Sequence, residues 1–227
     1  MDHENIIALF SALREANPEP KGELHSETPF QHLVAVVLSA QSTDVAVNRV
    51  TKALFRAAPT PEDMVALGEE GIAALIRTLG LFNAKARHLL GLSRILVERY
   101  GGAVPDDRIL LEALPGVGRK TANVVLNVCF GHPTVAVDTH VFRLSRRLGL
   151  AQGNRPLTVE RELLEKIPGE FLRHAHHWLI LHGRYVCTAR KPGCHRCIIA
   201  RWCLRIGLGE EGKNLPSSSS SWQQLPD

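Results

Sequence analysis

The segment Leu114-Pro-Gly-Val-Gly-Arg-Lys-Thr-Ala-Asn-Val-Val-Leu126 sets two glycines, Gly116 and Gly118, just ahead of an apolar run that reads as a helix interior. A tight glycine turn opening a helix presents backbone N–H groups outward, and that geometry suits a phosphate. Lys120 falls in the first turn of the same helix. The positive end of a helix dipole disfavours the ammonium form, and a neutral lysine is a nucleophile. A phosphate grip and an amine nucleophile within one turn of each other point to chemistry on a nucleic acid.

A second cluster lies near the C-terminus. Cys187, Cys194, Cys197 and Cys203 give C-x6-C-x2-C-x5-C, so four of the five cysteines fall within 17 residues. A metal or metal cluster is the natural reading of such spacing. Zinc is the usual occupant of two C-x2-C knuckles, but only Cys194 and Cys197 form such a pair. A compact loop around a cubane cluster accommodates the unequal outer spacings better, and spacing alone leaves zinc open. Cys129 lies in an apolar stretch and reads as packing.

Helix start and stop signals recur along the chain, and strand alternation hardly appears. Thr28-Pro-Phe-Gln31 and Thr60-Pro-Glu-Asp63 both have capping-box spacing with proline at the first helical position. Gly80 ends one predicted helix and Asn83 caps the next, which runs to Tyr100 and stops at Gly101-Gly102. A short helix over residues 108–113 leads into Pro115. Asp138 is placed to cap a helix from Thr139 to Leu148, closed by Gly149. Further helices are predicted over residues 159–167 and 170–185. The run Val34-Ala-Val-Val-Leu-Ser is strand-like in composition, but its capping signal favours helix. Pro133-Thr-Val-Ala-Val reads as an extended link.

The 227 residues are 44% hydrophobic and only 5% aromatic, which suits a helical protein built on Leu, Val, Ile and Ala. No run of about 18 apolar residues appears, so no membrane span is expected. The start, Met1-Asp-His-Glu4, lacks the basic and apolar regions of a secretory signal, and a cytoplasmic protein is expected. The net charge is only +4. Its distribution says more: residues 184–205 carry Arg184, Arg190, Lys191, Arg196, Arg201 and Arg205 and no acidic residue. Such a local basic face binds phosphates although the total charge is modest.

The glycine turn resembles the helix-hairpin-helix motif of DNA base-excision glycosylases. Lys120, followed by Asp138 in Val135-Ala-Val-Asp-Thr-His140, resembles the catalytic pair of the endonuclease III branch. The four cysteines resemble that family's [4Fe-4S] loop. Leu38-Ser-Ala-Gln-Ser-Thr-Asp44, Gly80-Leu-Phe-Asn-Ala-Lys85 and residues 177–185 are also similar to it.

The resemblance implies an all-α fold of two helical lobes. One is a six-helix barrel carrying the hairpin, over residues 22–132. The other is a discontinuous iron–sulfur cluster domain, residues 1–21 with 133–207. Residues 208–227, rich in serine, are expected to be a disordered tail. DNA is expected between the lobes, with Lys120 on the barrel side and Asp138 on the cluster side.

The function implied is a bifunctional glycosylase and abasic-site lyase that acts, as a bacterial cytoplasmic monomer, on double-stranded DNA with damaged pyrimidines or abasic sites. The target nucleotide must leave the stack before its glycosidic bond is reached. Backbone amides of Gly116, Val117 and Gly118 are expected to hold a phosphate beside it. The resemblance places Gln41 in the gap left by the flipped nucleotide and Leu81 as an apolar wedge in the opposite strand. On residue type alone, Gln41 is a helix-end polar group and Leu81 a core leucine. Lys120 is expected to form a Schiff base with the sugar, followed by β-elimination of the 3′ phosphate. Asp138 is expected to stabilise positive charge on the sugar and to help manage the lysine proton, while capping its helix. Arg190 and Lys191 are candidate phosphate contacts.

Three other readings compete. An adenine-mismatch glycosylase resembles this chain in hairpin and cluster but lacks a lysine at the position of Lys120 and carries an added C-terminal domain. A non-catalytic DNA-binding module and an iron–sulfur electron carrier are the others. His174, His176, His177 and His182 suggest a second metal site, but only His174 and His177 share a near helix face, at i,i+3, and ordinary core or surface histidines explain them. The role of His140 is left open.

Overall fold

The structure, a computed structural model, describes residues 1–208. The tail expected to be disordered lies, apart from Leu208, outside the described residues. Among the described residues there are ten α-helices and no β-strand, as the sequence predicts. No helix among them is long and apolar enough to cross a membrane. The chain divides into two compact units, Glu23–His132 and Met1–Gly22 with the chain from Pro133 onward.

The Glu23–His132 unit holds six helices: α2 (Pro29–Leu38), α3 (Asp44–Ala57), α4 (Pro61–Ile76), α5 (Phe82–Tyr100), α6 (Arg108–Glu112) and α7 (Arg119–Phe130). Every residue of α2 from Phe30 to Leu38 is buried. A helix buried all round is central, and α2 packs against α3, α5 and α7. Thr28 caps it by accepting the Gln31 N–H. The reciprocal bond of the capping box is replaced, because Gln31 Oε1 accepts from the Glu27 N–H instead of that of Thr28. The full box is present at Thr60 and Asp63, where α4 starts, and such a cap is worth about 1 kcal/mol.

Asn83 does not cap α5. The N-cap is Leu81, with φ 61° and no side-chain cap bond. A left-handed residue turns the chain so sharply that the helix begins at once, and Asn83 falls inside its first turn.

The second unit holds α1 (His3–Ala16), α8 (Thr139–Leu148), α9 (Pro156–Lys166) and α10 (Gly169–Tyr185), with short 3-10 turns at Cys194–Arg196 and Ala200–Trp202. α9 starts earlier than predicted because Pro156 occupies its first turn. The rings of Phe10, Phe171 and Trp178 pack at 5.7–6.3 Å and join α1 to α10. Each such aromatic pair adds about 0.5–1.5 kcal/mol beyond its buried area. The Trp178 indole N–H donates to the Asn17 carbonyl at 2.8 Å and closes the end of α1 onto α10. Residues 133–137 form the extended link expected, with Val135 to Val137 buried.

Candidate nucleic-acid interface and cysteine cavity

α6 and α7 pack together as a helix-hairpin-helix pair joined by the turn Pro115–Gly118. Val117 is buried in the unit's core and anchors the turn from within, while its N–H donates to the Leu114 carbonyl. Gly116 and Gly118 are exposed. Gly116 has φ 78°, and a Cβ there would meet His88 at 2.9 Å, so both backbone and space demand glycine. At Gly118, the N-cap of α7, nothing lies within 4 Å of a Cβ position. No side chain caps α7. Its first N–H groups have no intrahelical acceptor, so this end of the helix is built for an anion. Lys120, the second residue of α7, is exposed beside it.

The same unit carries Gln41 and Leu81. Among the described residues only three non-glycines have positive φ: Gln41 (56°), Leu81 (61°) and Arg205 (55°). Each such residue costs about 1–3 kcal/mol and persists only where its surroundings over-determine it. Leu81 is 61% exposed, which excludes the core reading open to it in the sequence. Gln41 is exposed in the turn between α2 and α3.

Asp138 stands in the other unit, half-buried, as the N-cap of α8. Its Oδ1 accepts the N–H groups of His140 at 2.9 Å and Val141 at 2.8 Å. Its Oδ2 takes no bond among the described residues. The ring of His140 lies 3.5 Å from an Arg143 guanidinium nitrogen, which also donates to the Cys187 carbonyl at 2.9 Å.

The four C-terminal cysteines line one cavity of about 360 Å³, its open mouth included, with Leu144, Leu148, Arg147 and His182 among its walls. Three of the sulfurs lie against nitrogens. Arg147 Nη1 lies 3.5 Å from Cys187 Sγ, His182 Nε2 3.3 Å from Cys197 Sγ, and the Arg205 backbone N–H donates to Cys203 Sγ at 3.3 Å. Burial pushes the Cys197 thiol up to about 12 and raises that of Cys203. Holding these groups as thiolates therefore calls for a bound cation. Among the described residues no group of three or more His, Cys, Asp or Glu side chains is arranged to hold a metal ion. Four cysteines lining one cavity are a donor set that fits a thiolate-bound metal or metal cluster. Cys129, part-buried against the other unit's core, has its thiol pushed up to about 11 by burial and stays a packing residue.

Sequence reasoning missed Arg147 and did not connect His182 with the cysteines. They come from α8 and α10, and no local spacing ties them to the cysteines. Arg190 and Lys191 are exposed. The backbone of their loop is fixed by Arg147, whose guanidinium donates to the Thr188 and Ala189 carbonyls at 2.6 and 2.7 Å.

The profile of the HhH-GPD superfamily base excision DNA repair proteins matches residues 34–169. Endonuclease III of Treponema pallidum is 53% identical over 208 residues, covering 92% of this chain and 99% of the relative. The chain belongs to the endonuclease III family. Endonuclease III of Escherichia coli is likewise 53% identical, over 89% of this chain and 96% of the relative. Among solved structures, a trapped endonuclease III–DNA covalent intermediate, an estranged-adenine complex, aligns with a TM-score of 0.84 at 43% identity. That alignment covers 94% of this chain and 98% of the other. A thermostable thymine-DNA glycosylase aligns at 0.79 and 25% identity, over 89% and 96%. As a member of the endonuclease III family, the chain is a base-excision DNA glycosylase and abasic-site lyase.

Proposed function

We propose that this chain removes oxidised pyrimidines from duplex DNA through a Schiff base on Lys120 and then breaks the 3′ phosphodiester by β-elimination. The observation that carries the proposal is Lys120 exposed on α7 immediately after an uncapped glycine turn. The turn's amides hold the backbone phosphate, which leaves the amine free for the sugar. The Lys120 amine attacks C1′, the C1′–base bond breaks, and the base leaves with a proton. Ring opening gives an imine between Nζ and C1′. Loss of the C2′ proton then expels the 3′ phosphate, and water releases the enzyme.

Asp138 acts on the same nucleotide. Its Oδ1 is committed to α8, so the carboxylate orientation is fixed. The uncommitted Oδ2 stabilises the developing positive charge and accepts the proton that Lys120 sheds. Gln41 fills the gap left by the extruded nucleotide and Leu81 wedges the opposite strand. Their strained, exposed turns support these roles. Arg190 and Lys191 contact phosphates.

Cys187, Cys194, Cys197 and Cys203 would hold a [4Fe-4S] cluster through their thiolates. When bound, it would cross-link the basic loop and offset the charge of the four thiolates. The enzyme works in the cytoplasm.

Product analysis tests this reading. A duplex with one oxidised pyrimidine should yield the free damaged base and a strand ending in an unsaturated 3′ aldehyde. Release of adenine from a mismatch without strand cleavage would contradict it and favour the adenine-mismatch branch.

A further inference from the structure

Lys85 is the one lysine among the described residues that is buried, with 4% of its surface exposed. A buried ammonium without a carboxylate partner is costly, and no carboxylate among the described residues lies within ion-pair distance of it. Its Nζ donates instead to Ser42 Oγ at 2.7 Å. Burial alone accounts for the lowered proton affinity of the amine. A long apolar side chain would fill the same space without that cost, so packing does not explain a lysine here.

The position of the bond is informative. Ser42 follows Gln41 directly, in the turn between α2 and α3, and its own N–H returns to the Ser39 carbonyl at 3.1 Å. Lys85 lies one helical turn after Leu81, and its backbone N–H donates to the Leu81 carbonyl at 3.0 Å, the first bond of α5. One residue thus binds both left-handed turns, through its backbone at Leu81 and through its ammonium at Ser42. Both turns belong to the same unit, and α2 packs on α5 beneath them.

We infer that Lys85 is a positioning residue that locks the Gln41 turn to the Leu81 turn, so that gap filler and wedge enter the duplex as one rigid pair. The inference rests on the proposed roles of Gln41 and Leu81. A hydrogen bond from a charged donor is strong and directional. Here it joins two loops from different parts of the chain whose probe side chains are themselves exposed. Rigid placement matters because a slack probe spends binding energy on ordering itself instead of on opening the stack. Lys85 touches no reacting atom.

Single-turnover excision of thymine glycol tests this on two substrates. In one the lesion is paired with adenine in a full duplex. In the other it sits in a single-nucleotide bulge, which costs less to extrude and leaves no orphaned base for Gln41. Lys85→Met keeps the length of the side chain and removes the charge. It should slow the paired substrate about tenfold or more, the size expected for a lost charged hydrogen bond. The bulged substrate should stay within about twofold of wild type, because the step that Lys85 serves is cheap there.

Ser42→Ala, at a part-exposed turn, should show the same split, and it carries the test if Lys85→Met fails to fold. The double variant should be no slower than either single one, as for two ends of one bond. Equal slowing on both substrates, no slowing on either, or additive losses would overturn the inference. Gln41→Ala run alongside separates the two levels. If it excises the paired lesion at the wild-type rate, the role of Gln41 fails. If it is slow while Lys85→Met is not, the inference about Lys85 alone fails.

Discussion

Asp138 Oδ1 accepts the Val141 N–H at 2.8 Å, and it is the same oxygen that accepts the His140 N–H. One carboxylate oxygen thus does all the capping of α8, and the other stays available. This relationship separates the structural role of Asp138 from its chemical one. In Asp138→Asn the amide oxygen still accepts both N–H groups, and asparagine caps helices as well as aspartate. Unfolding free energy and DNA affinity should stay near wild type. Turnover should fall about 10²–10⁴-fold, the range for a lost acid–base group. Wild-type turnover, measured as base release at saturating enzyme, would remove Asp138 from the mechanism.

The two hairpin glycines should respond differently to alanine. At Gly116 a methyl group meets His88 at 2.9 Å on a backbone with φ 78°. Gly116→Ala should lower stability by about 1–3 kcal/mol and weaken DNA binding with it. At Gly118 the space is open and φ is −100°. Gly118→Ala should unfold at the wild-type urea midpoint yet bind DNA more weakly, because its methyl stands where a phosphate approaches. Wild-type DNA affinity in Gly118→Ala would place the phosphate elsewhere.

Arg190 and Lys191 project from a loop whose backbone Arg147 holds. If each meets one phosphate, the slope of log affinity against log salt should shrink by about one for each charge removed. Filter binding of Arg190→Gln and Lys191→Gln across a salt series measures this. An unaltered slope would mean that the loop faces solvent in the complex.

Burial, with His174 beside it, holds the His177 imidazole down at about 4 from its ordinary 6.5. The unfolded chain binds a proton near 6.5 while the folded chain stays neutral until about 4. The contribution of His177 to stability is therefore fully present above pH 6.5 and is lost as pH falls through that window, by about 3 kcal/mol over its whole width. Urea unfolding at about pH 7 and about pH 4.5 should show a smaller acid loss in His177→Gln than in wild type. Equal losses would show that His177 takes up its proton without unfolding. This behaviour is that of a core histidine, in keeping with the ordinary explanation for the pair His174 and His177.

Local chemistry explains what was legible in the sequence. The start of α8 follows from Asp138 and its end from Gly149, because caps act within one turn. The hairpin and the cysteine loop are contiguous in the chain, so spacing alone brings them into view. Leu81 was not legible on its own, since a leucine with positive φ violates the propensity that sequence reading relies on. The left-handed start displaced the cap expected at Asn83 and left an apolar side chain in solvent. Lys85 was hidden for the opposite reason. A lysine in an amphipathic helix reads as a surface residue, and only the fold reveals that its partner is Ser42, 43 residues earlier. Arg147 and His182 reach the cysteine cavity from helices remote in the chain, and no periodicity encodes that meeting.

The central claim is that Lys120 forms the covalent bond to DNA. Borohydride reduction during turnover on a duplex with an oxidised pyrimidine converts an imine into a stable amine. Mass spectrometry of the digested adduct should then find the deoxyribose remnant on the peptide that contains Lys120, and Lys120→Ala should give no adduct while still binding the duplex. An adduct on another residue, or one that persists in Lys120→Ala, would contradict the account.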